Sequence, residues 1–138
     1  MNEAISAQGT LIARQPGGVG SFTTIGDLRN ITPPPLMRNA IETTSHNEVE
    51  ESFVVGIRRK GELTFTIGFV PSGTTHGPSA GLIKSWLDGT KDGWKITFPD
   101  GSQWIFSGFT TNVAPAAPVD DGLTADVTVR PTDTMQFI

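Results

Sequence analysis

A strict alternation of apolar and polar residues constrains the fold more than any other feature of this chain. In residues 61–69 every second side chain is apolar, namely Leu63, Phe65, Ile67 and Phe69, and Glu62, Thr64 and Thr66 lie between them. Residues 123–129 repeat the pattern with Leu123, Ala125, Val127 and Val129. Successive side chains of a β-strand point to opposite faces, so each segment predicts a strand with one buried face.

The remaining segments predict about seven strands in total and a single helix. Further strands are expected at Thr10–Ala13, Ser21–Ile31 and Arg38–Thr44, and a hairpin at 94–109 around the turn Pro99-Asp100-Gly101. A helix is expected at Pro78–Asp88, with the apolar stripe Leu82, Ile83, Trp86 and Leu87. Thr75 or Gly77 is expected to cap its start and Gly89 to end it. This inventory favours a mainly β fold, a β-sandwich or barrel-like domain with one α-helix packed on the outside.

Size and charge restrict the class of protein further. The chain has 138 residues, a formal net charge of −4 and no cysteine. We expect one domain over residues 1–138 with a flexible N-terminus at about 1–9. The charge argues against a basic nucleic-acid-binding face, and the missing cysteines exclude disulfides and thiolate metal ligands. With no signal peptide and no apolar span in the sequence, we expect a soluble chain without a membrane anchor, made in a cytosol.

The connection at residues 45–60, here called the arm, is the least ordinary segment. It follows the strand predicted to end at Thr44, and its length and composition predict an irregular connection with a function of its own. Its charges are sorted by sign around an apolar run, which favours docking between copies of the chain. The candidate docking residues are His46, Glu48, Glu50, Glu51, Phe53, Val54, Val55, Arg58, Arg59 and Lys60.

Other candidate sites are weak. The histidines, His46 and His76, stand in no metal-binding pattern, and Asp120-Asp121 before Gly122 indicates a turn more than a carboxylate pair. The segment Gly17-Gly18-Val19-Gly20 lacks the following lysine of a phosphate loop, and no serine lies in a nucleophile motif. We therefore predict no catalytic residues, no metal and no cofactor. Trp94, at a strand start, is the one aromatic that suits a ligand-stacking role, which leaves a sugar-binding or adhesion module as an alternative.

Three collinear segments resemble the major tail tube proteins of long-tailed, non-contractile (lambda-like) bacteriophages. They are SFTTIGDLRNITPPPLMRNAIETTSH, GELTFTIGFVPSGTTH and WKITFPDGSQWIFSGFTTNVAPAAPVDDGLTADVTVRPT, and together they cover about Phe22 to Thr132. The pieces IETTSH and APVDDGLTADVTV are the most specific. The chain stops soon after Val129, so the extra immunoglobulin-like domain of some family members is not expected.

The resemblance implies a structural virion protein rather than an enzyme. Six copies would form a ring, inner sheets would join into one barrel, and the arm would reach the adjacent ring. The lumen would hold a tape measure protein and later pass DNA without binding it tightly, and Glu42, Glu62 and Asp126 are the expected lumen-facing carboxylates. Tail terminator and tail tip proteins would be further partners, with assembly in the host cytoplasm. A tail terminator or a secretion-system tube-like ring protein remains an alternative, since fold alone does not separate them.

Overall fold

The structure is a computed structural model that describes residues 8–26, 28–47, 49–117 and 122–138. In chain order its elements are β1 (Leu11–Gln15), a 3-10 turn (Pro16–Gly18), β2 (Thr23–Thr24), β3 (Leu28–Thr32), β4 (Leu36–Glu42), β5 (Phe53–Lys60), β6 (Leu63–Gly68), α1 (Leu82–Asp88), β7 (Asp92–Thr97), β8 (Gln103–Ala116) and β9 (Thr124–Phe137). The mainly β fold with one helix is therefore confirmed.

A seven-stranded antiparallel sheet in the order β2-β1-β7-β8-β9-β6-β3 makes up the body. The two long strands, β8 and β9, bend where their register shifts. The first part of β8 pairs with β7, and its last part, residues 110–116, pairs with the first part of β9. The sheet thus folds over on itself as a sandwich: the ring centroids of Phe65 on β6 and Trp94 on β7 lie 6.2 Å apart although two strands separate β6 from β7 in the sheet.

The core lies between the two halves of this folded sheet. The apolar positions of the two alternating segments are buried as predicted, and they meet residues from β1 and β7. The largest fully buried side chains include Trp94, Ile12, Leu63, Ile67, Leu82, Ile96, Val127 and Val129. Trp104 is half-buried and makes edge-on ring contacts with Phe98 and Phe137, at centroid distances of 5.3 and 5.4 Å.

The helix is shorter than the sequence indicates. It begins at Leu82, after Gly81 rather than Thr75 or Gly77, because residues 71–81 form a series of turns. Gly89 ends it in the left-handed conformation (φ 61°), as expected for a residue without a Cβ. The apolar stripe predicted for the helix is not buried as a whole: the Trp86 side chain is 53% exposed, and Leu82 and Ser85 face the sheet.

Several boundaries also differ from the expectations. The segment expected as one strand at Ser21–Ile31 is divided into β2 and β3, with a register shift between Leu28 and Asn30. The expected hairpin strand that ends at residue 109 continues instead as far as Ala116, because β9 supplies a partner for it. Asp120-Asp121, Asp27 and most of the N-terminal segment lie outside the described residues. The assignment of residues 1–138 to one domain stays a prediction.

Candidate assembly surface

Strands β4 and β5 form a separate two-stranded sheet, an antiparallel hairpin that is not part of the seven-stranded sheet. The irregular conformation expected for the arm is therefore wrong for residues 53–60. Val and Phe favour strands, and β4 supplies a ladder for them. The strand pairs run from Leu36↔Lys60 to Glu42↔Phe53. The Thr43 N–H donates to the Ser52 carbonyl at 2.8 Å, so the irregular part of the arm is the loop beyond this pair.

The hairpin exposes apolar side chains on both strands. Every residue of β4 is exposed, and most of β5 is as well. The exposed apolar residues are Leu36, Met37, Ile41, Phe53, Val54, Val55 and Ile57. An isolated two-stranded hairpin is marginally stable in water, and a contiguous apolar surface of this kind marks a site of protein–protein contact. The hairpin is therefore a candidate surface for contact with another protein.

The base of the hairpin is joined tightly to the body. The Gly61 N–H donates to the Pro35 carbonyl at 2.8 Å, and a Cβ at Gly61 would collide with the Pro35 ring. The Lys60 ammonium donates to the backbone carbonyl of Asp133, which has φ 62° within β9. The Lys91 ammonium lies 2.8 Å from the Asp133 carboxylate. These contacts fix where the hairpin leaves the sandwich.

The charges on the hairpin are sorted along its length. Arg38 and Arg58 are directly opposite each other in the ladder, and Arg59 is opposite Met37. Like charges in this position repel, yet in the described part of the chain no carboxylate lies within ion-pair distance of Arg38, Arg58 or Arg59. The basic end of the hairpin therefore retains an excess of positive charge.

The opposite end of the hairpin is acidic. We call residues 45–52 the hairpin tip. His46, Val49, Glu50 and Glu51 are exposed there, and Glu48 lies outside the described residues. The structure thus brings the described members of the predicted docking set onto one hairpin, with Glu50 and Glu51 at the tip and Arg58, Arg59 and Lys60 at the base.

A groove of about 950 Å³ lies between the basal part of the hairpin and the end of β9, and we call it the basic groove. Its apolar lining includes Leu36 and Ile57 from the hairpin and Met135 and Phe137 from β9. Arg58 and Arg59 also line it. Sequence reasoning missed this groove, because the β9 residues are distant from the hairpin in the chain and no local pattern joins them.

Four strand segments form a second surface. Residues 110–116 of β8 pair with β9, β9 pairs with β6, and β6 pairs with β3. One side of this layer belongs to the core, and the other carries small polar side chains, among them Asn30, Thr32, Thr64, Thr66, Asn112 and Thr128. Among the described strands, β3 and this part of β8 each lack a partner on one side. The layer therefore has one polar face and two open edges.

The structure does not bring the three expected lumen-facing carboxylates onto one surface. Asp126 is exposed on the polar face and accepts a hydrogen bond from the Thr66 hydroxyl at 2.7 Å. Glu62 is exposed just before Leu63, and strand alternation gives it the same face as Thr64. Glu42 lies on the hairpin, opposite Phe53. A lumenal role for these carboxylates stays a prediction.

A buried polar cluster fixes the helix to the sheet. The Arg14 Nε donates to the Asp92 carboxylate at 2.8 Å, the Gly17 N–H donates to it at 2.8 Å, and the Ser85 hydroxyl donates to it as well. Burial acts to raise the pKa of this carboxylate. The three hydrogen bonds and the guanidinium charge more than offset burial, so the pKa of Asp92 lies below its ordinary value of 3.8. The cluster is fully paired, as a structural core element requires.

The structure contradicts a ligand-binding role for Trp94. Its side chain is 0% exposed, and its indole N–H donates to the Gly108 carbonyl at 3.3 Å. His76 is also buried: its Nδ1 accepts from the Val70 N–H at 3.1 Å, and its Nε2 lies 2.8 Å from the Gly26 carbonyl. Within the described ranges no cluster of His, Asp or Glu side chains fits a metal ion, and no helix is long and apolar enough to span a membrane.

A folded antiparallel sheet with two unpaired edges among the described strands, and a hairpin with exposed apolar side chains, are the features of a structural subunit suited to assembly. The family described as "Lambda phage tail tube protein, TTP" matches residues 8–136, so the chain belongs to that family. The family is one of structural virion proteins of the phage tail rather than of enzymes. None of the curated proteins compared with the chain matches it significantly.

Solved structures of tail and injection-system tubes share this fold. The chain is similar to a protein in the tail of an empty GTA particle refined with C6 symmetry, with a TM-score of 0.81 and 16% identity over 98% of this chain and 99% of that one. It is also similar to the SPP1 tail tube, with a TM-score of 0.74 and 8% identity over 97% of this chain and 78% of that one. A third similar chain comes from the structure of an extracellular contractile injection system, PVC sheath/tube terminator. Its TM-score is 0.73, with 12% identity over 99% of this chain and 98% of that one.

Proposed function

We propose that six copies of this chain close into a ring, and that the rings stack into the hollow tail tube through which phage DNA passes into the host. The observation that carries the proposal is the four-stranded layer with two open edges and one polar face. If β3 of one copy pairs with residues 110–116 of β8 in the next, both edges are removed and the layer continues around a closed barrel. The six-fold symmetry of the similar GTA tail supports the copy number.

The polar face of the layer becomes the wall of the lumen in this arrangement. Threonine and asparagine side chains make up much of this face, and exposed Arg130 shares it with Asp126 and Glu62 by strand alternation. A phosphate backbone binds chiefly to Lys and Arg, and the carboxylates beside Arg130 oppose tight binding of it here. A wall of this kind suits transit of DNA and reversible filling by a tape measure protein. Terminator and tip proteins bind the two ends of the tube, and assembly takes place in the host cytoplasm before release.

Electron microscopy of the purified full-length chain tests the proposal. We expect negative-stain images of hollow six-fold rings and tubes, whose proportion rises over a concentration series because stacking is bimolecular. Analytical ultracentrifugation measures the same change in mass. Rings that never stack would indicate the tail terminator alternative, and a chain that stays monomeric at every concentration would contradict the proposal.

A further inference from the structure

We propose that the basic groove receives the hairpin tip of a second copy, with Val49 seated on the apolar lining and with Glu50 and Glu51 paired with Arg58 and Arg59. This inference rests on the proposed stacking of rings and names the two surfaces that meet. It commits to one occupant, a second copy of this chain.

The tip carries an apolar side chain that its own chain leaves uncovered. Val49 is 101% exposed and stands immediately before two carboxylates. The groove offers an apolar lining of matching character, with Ile57 69% exposed and Phe137 52% exposed. Placing Val49 against these side chains removes apolar surface from water on both partners.

The charges of the two surfaces are opposite. Arg38, Arg58 and Arg59 line the groove, and the one carboxylate that lines it, Asp133, is already occupied by Lys91. Glu50 and Glu51 make no ion pair with any described residue. Docking the tip into the groove pairs both sets of charges and relieves the repulsion between Arg38 and Arg58.

A chain cannot fill its own groove with its own tip. The tip lies beyond Phe53, whereas Arg58 and Arg59 of the groove lie five and six residues further along β5. In an extended strand these residues are about 17 to 20 Å from Phe53, out of reach of the carboxylates of the same tip. The contact is therefore between copies. In rings that all face the same way along the tube it is head-to-tail, which generates an open-ended stack rather than a closed pair.

Charge reversal in two variants tests the pairing. A tip variant carries Glu50→Arg with Glu51→Arg, and a groove variant carries Arg58→Glu with Arg59→Glu. Each variant alone has like charges on both surfaces, so we expect rings without tubes. When preformed rings of the two variants are mixed in equal numbers, a stack in which the two kinds of ring alternate places every tip against a groove of opposite charge. We therefore expect such a mixture to form tubes, measured by electron microscopy and sedimentation.

A matched control reverses the exposed Lys84–Asp88 pair on α1, by Lys84→Glu with Asp88→Lys, and should leave tube formation unchanged. Tubes from either docking variant alone, or a mixture that stays as rings, would overturn the inference while leaving ring formation in place. A wild-type chain that forms neither rings nor tubes would overturn the proposed function itself.

Disulfide cross-linking provides a measurement that does not depend on charge reversal. The chain contains no cysteine, so Val49→Cys with Ile57→Cys creates the only thiols. Under mild oxidation we expect a ladder of disulfide-linked multimers on non-reducing gels. The control, Val49→Cys with Lys84→Cys, should give no ladder. Equal ladders from both variants, or none from the first in preformed tubes, would overturn the docking.

Discussion

At the scale of single residues, Asp92 determines how the helix lies on the sheet. The carboxylate accepts hydrogen bonds from Arg14 and Ser85, and Ser85 is fully buried as a result. Because Leu82 and Ser85 are three residues apart, they share a face of α1. Burying that face turns Trp86 and Leu87 towards solvent. A hydrophobic pattern scores serine as a surface residue, so the sequence could not predict this rotation.

We expect Asp92→Asn to lower the free energy of unfolding by about 3 kcal/mol, because it leaves the buried Arg14 guanidinium without its counter-charge. Denaturant unfolding of the variant and the wild type measures the difference. Asp88→Asn, in an exposed pair on α1, is the control and should change stability by less than about 0.5 kcal/mol. Equal effects from the two substitutions would contradict the structural role of the cluster.

The same carboxylate predicts a dependence on pH. Its pKa in the folded chain is lowered from 3.8, so its contribution is complete above 3.8 and is lost as pH falls through the folded value. The stability difference between wild type and Asp92→Asn should therefore be constant near neutral pH and shrink below pH 3.8. A difference that stays constant down to pH 2 would contradict it.

At the scale of elements, the hairpin is attached to the body but is not part of its sheet. Pro35 and Gly61 are joined by a backbone hydrogen bond at its base. The two residues are therefore close in space, and a short linker can connect them at small entropic cost. The sorting of charge along this segment is evident from the sequence, but its strand conformation is not. Residues 53–60 read as irregular in isolation because Gly56 and three basic residues interrupt the apolar run, and only pairing with β4 makes them a strand.

We expect that replacing Leu36–Lys60 with a short Gly/Ser linker leaves a folded chain that no longer forms tubes. Far-UV circular dichroism and thermal unfolding should show a retained cooperative transition, since the core of the sandwich is made by other strands. Electron microscopy should show no stacked rings. A control that exchanges the exposed turn residue Asp100 for Asn should keep tubes. Tubes from the linker variant would contradict the role of the hairpin.

At the scale of the whole molecule, local alternation found the strands but not their order. Residues 61–69 and 123–129 were predicted as strands and are confirmed as β6 and the first part of β9. That the two are neighbours in the sheet, and that the last part of β8 adjoins them, depends on pairings between distant segments. No single pattern contains those pairings, and the tail tube architecture came from the family resemblance instead.

The open edges lead to a prediction for the ring. The Ile31 N–H on β3 donates to the Asn30 side chain at 3.0 Å, a bond that a neighbouring strand can replace. We expect Ile31→Pro to keep the fold and to reduce ring formation strongly, because proline removes a main-chain donor from the edge. Ile31→Thr loses the same apolar packing but keeps the N–H, and should still form rings. Sedimentation measures the mass of the assemblies that each variant forms. Equal ring formation by the two variants would contradict the pairing of edge strands.

The sorting of charge along the hairpin gives each subunit a direction. If all rings stack in the same sense, one terminal ring presents uncovered acidic loops, and the ring at the far extremity presents uncovered arginine-lined clefts. The two extremities of such a tube are chemically unlike. A cap that recognises one extremity would have no complementary surface at the other. The hairpin of 25 residues, from Leu36 to Lys60, would then determine which end of the tube each cap binds.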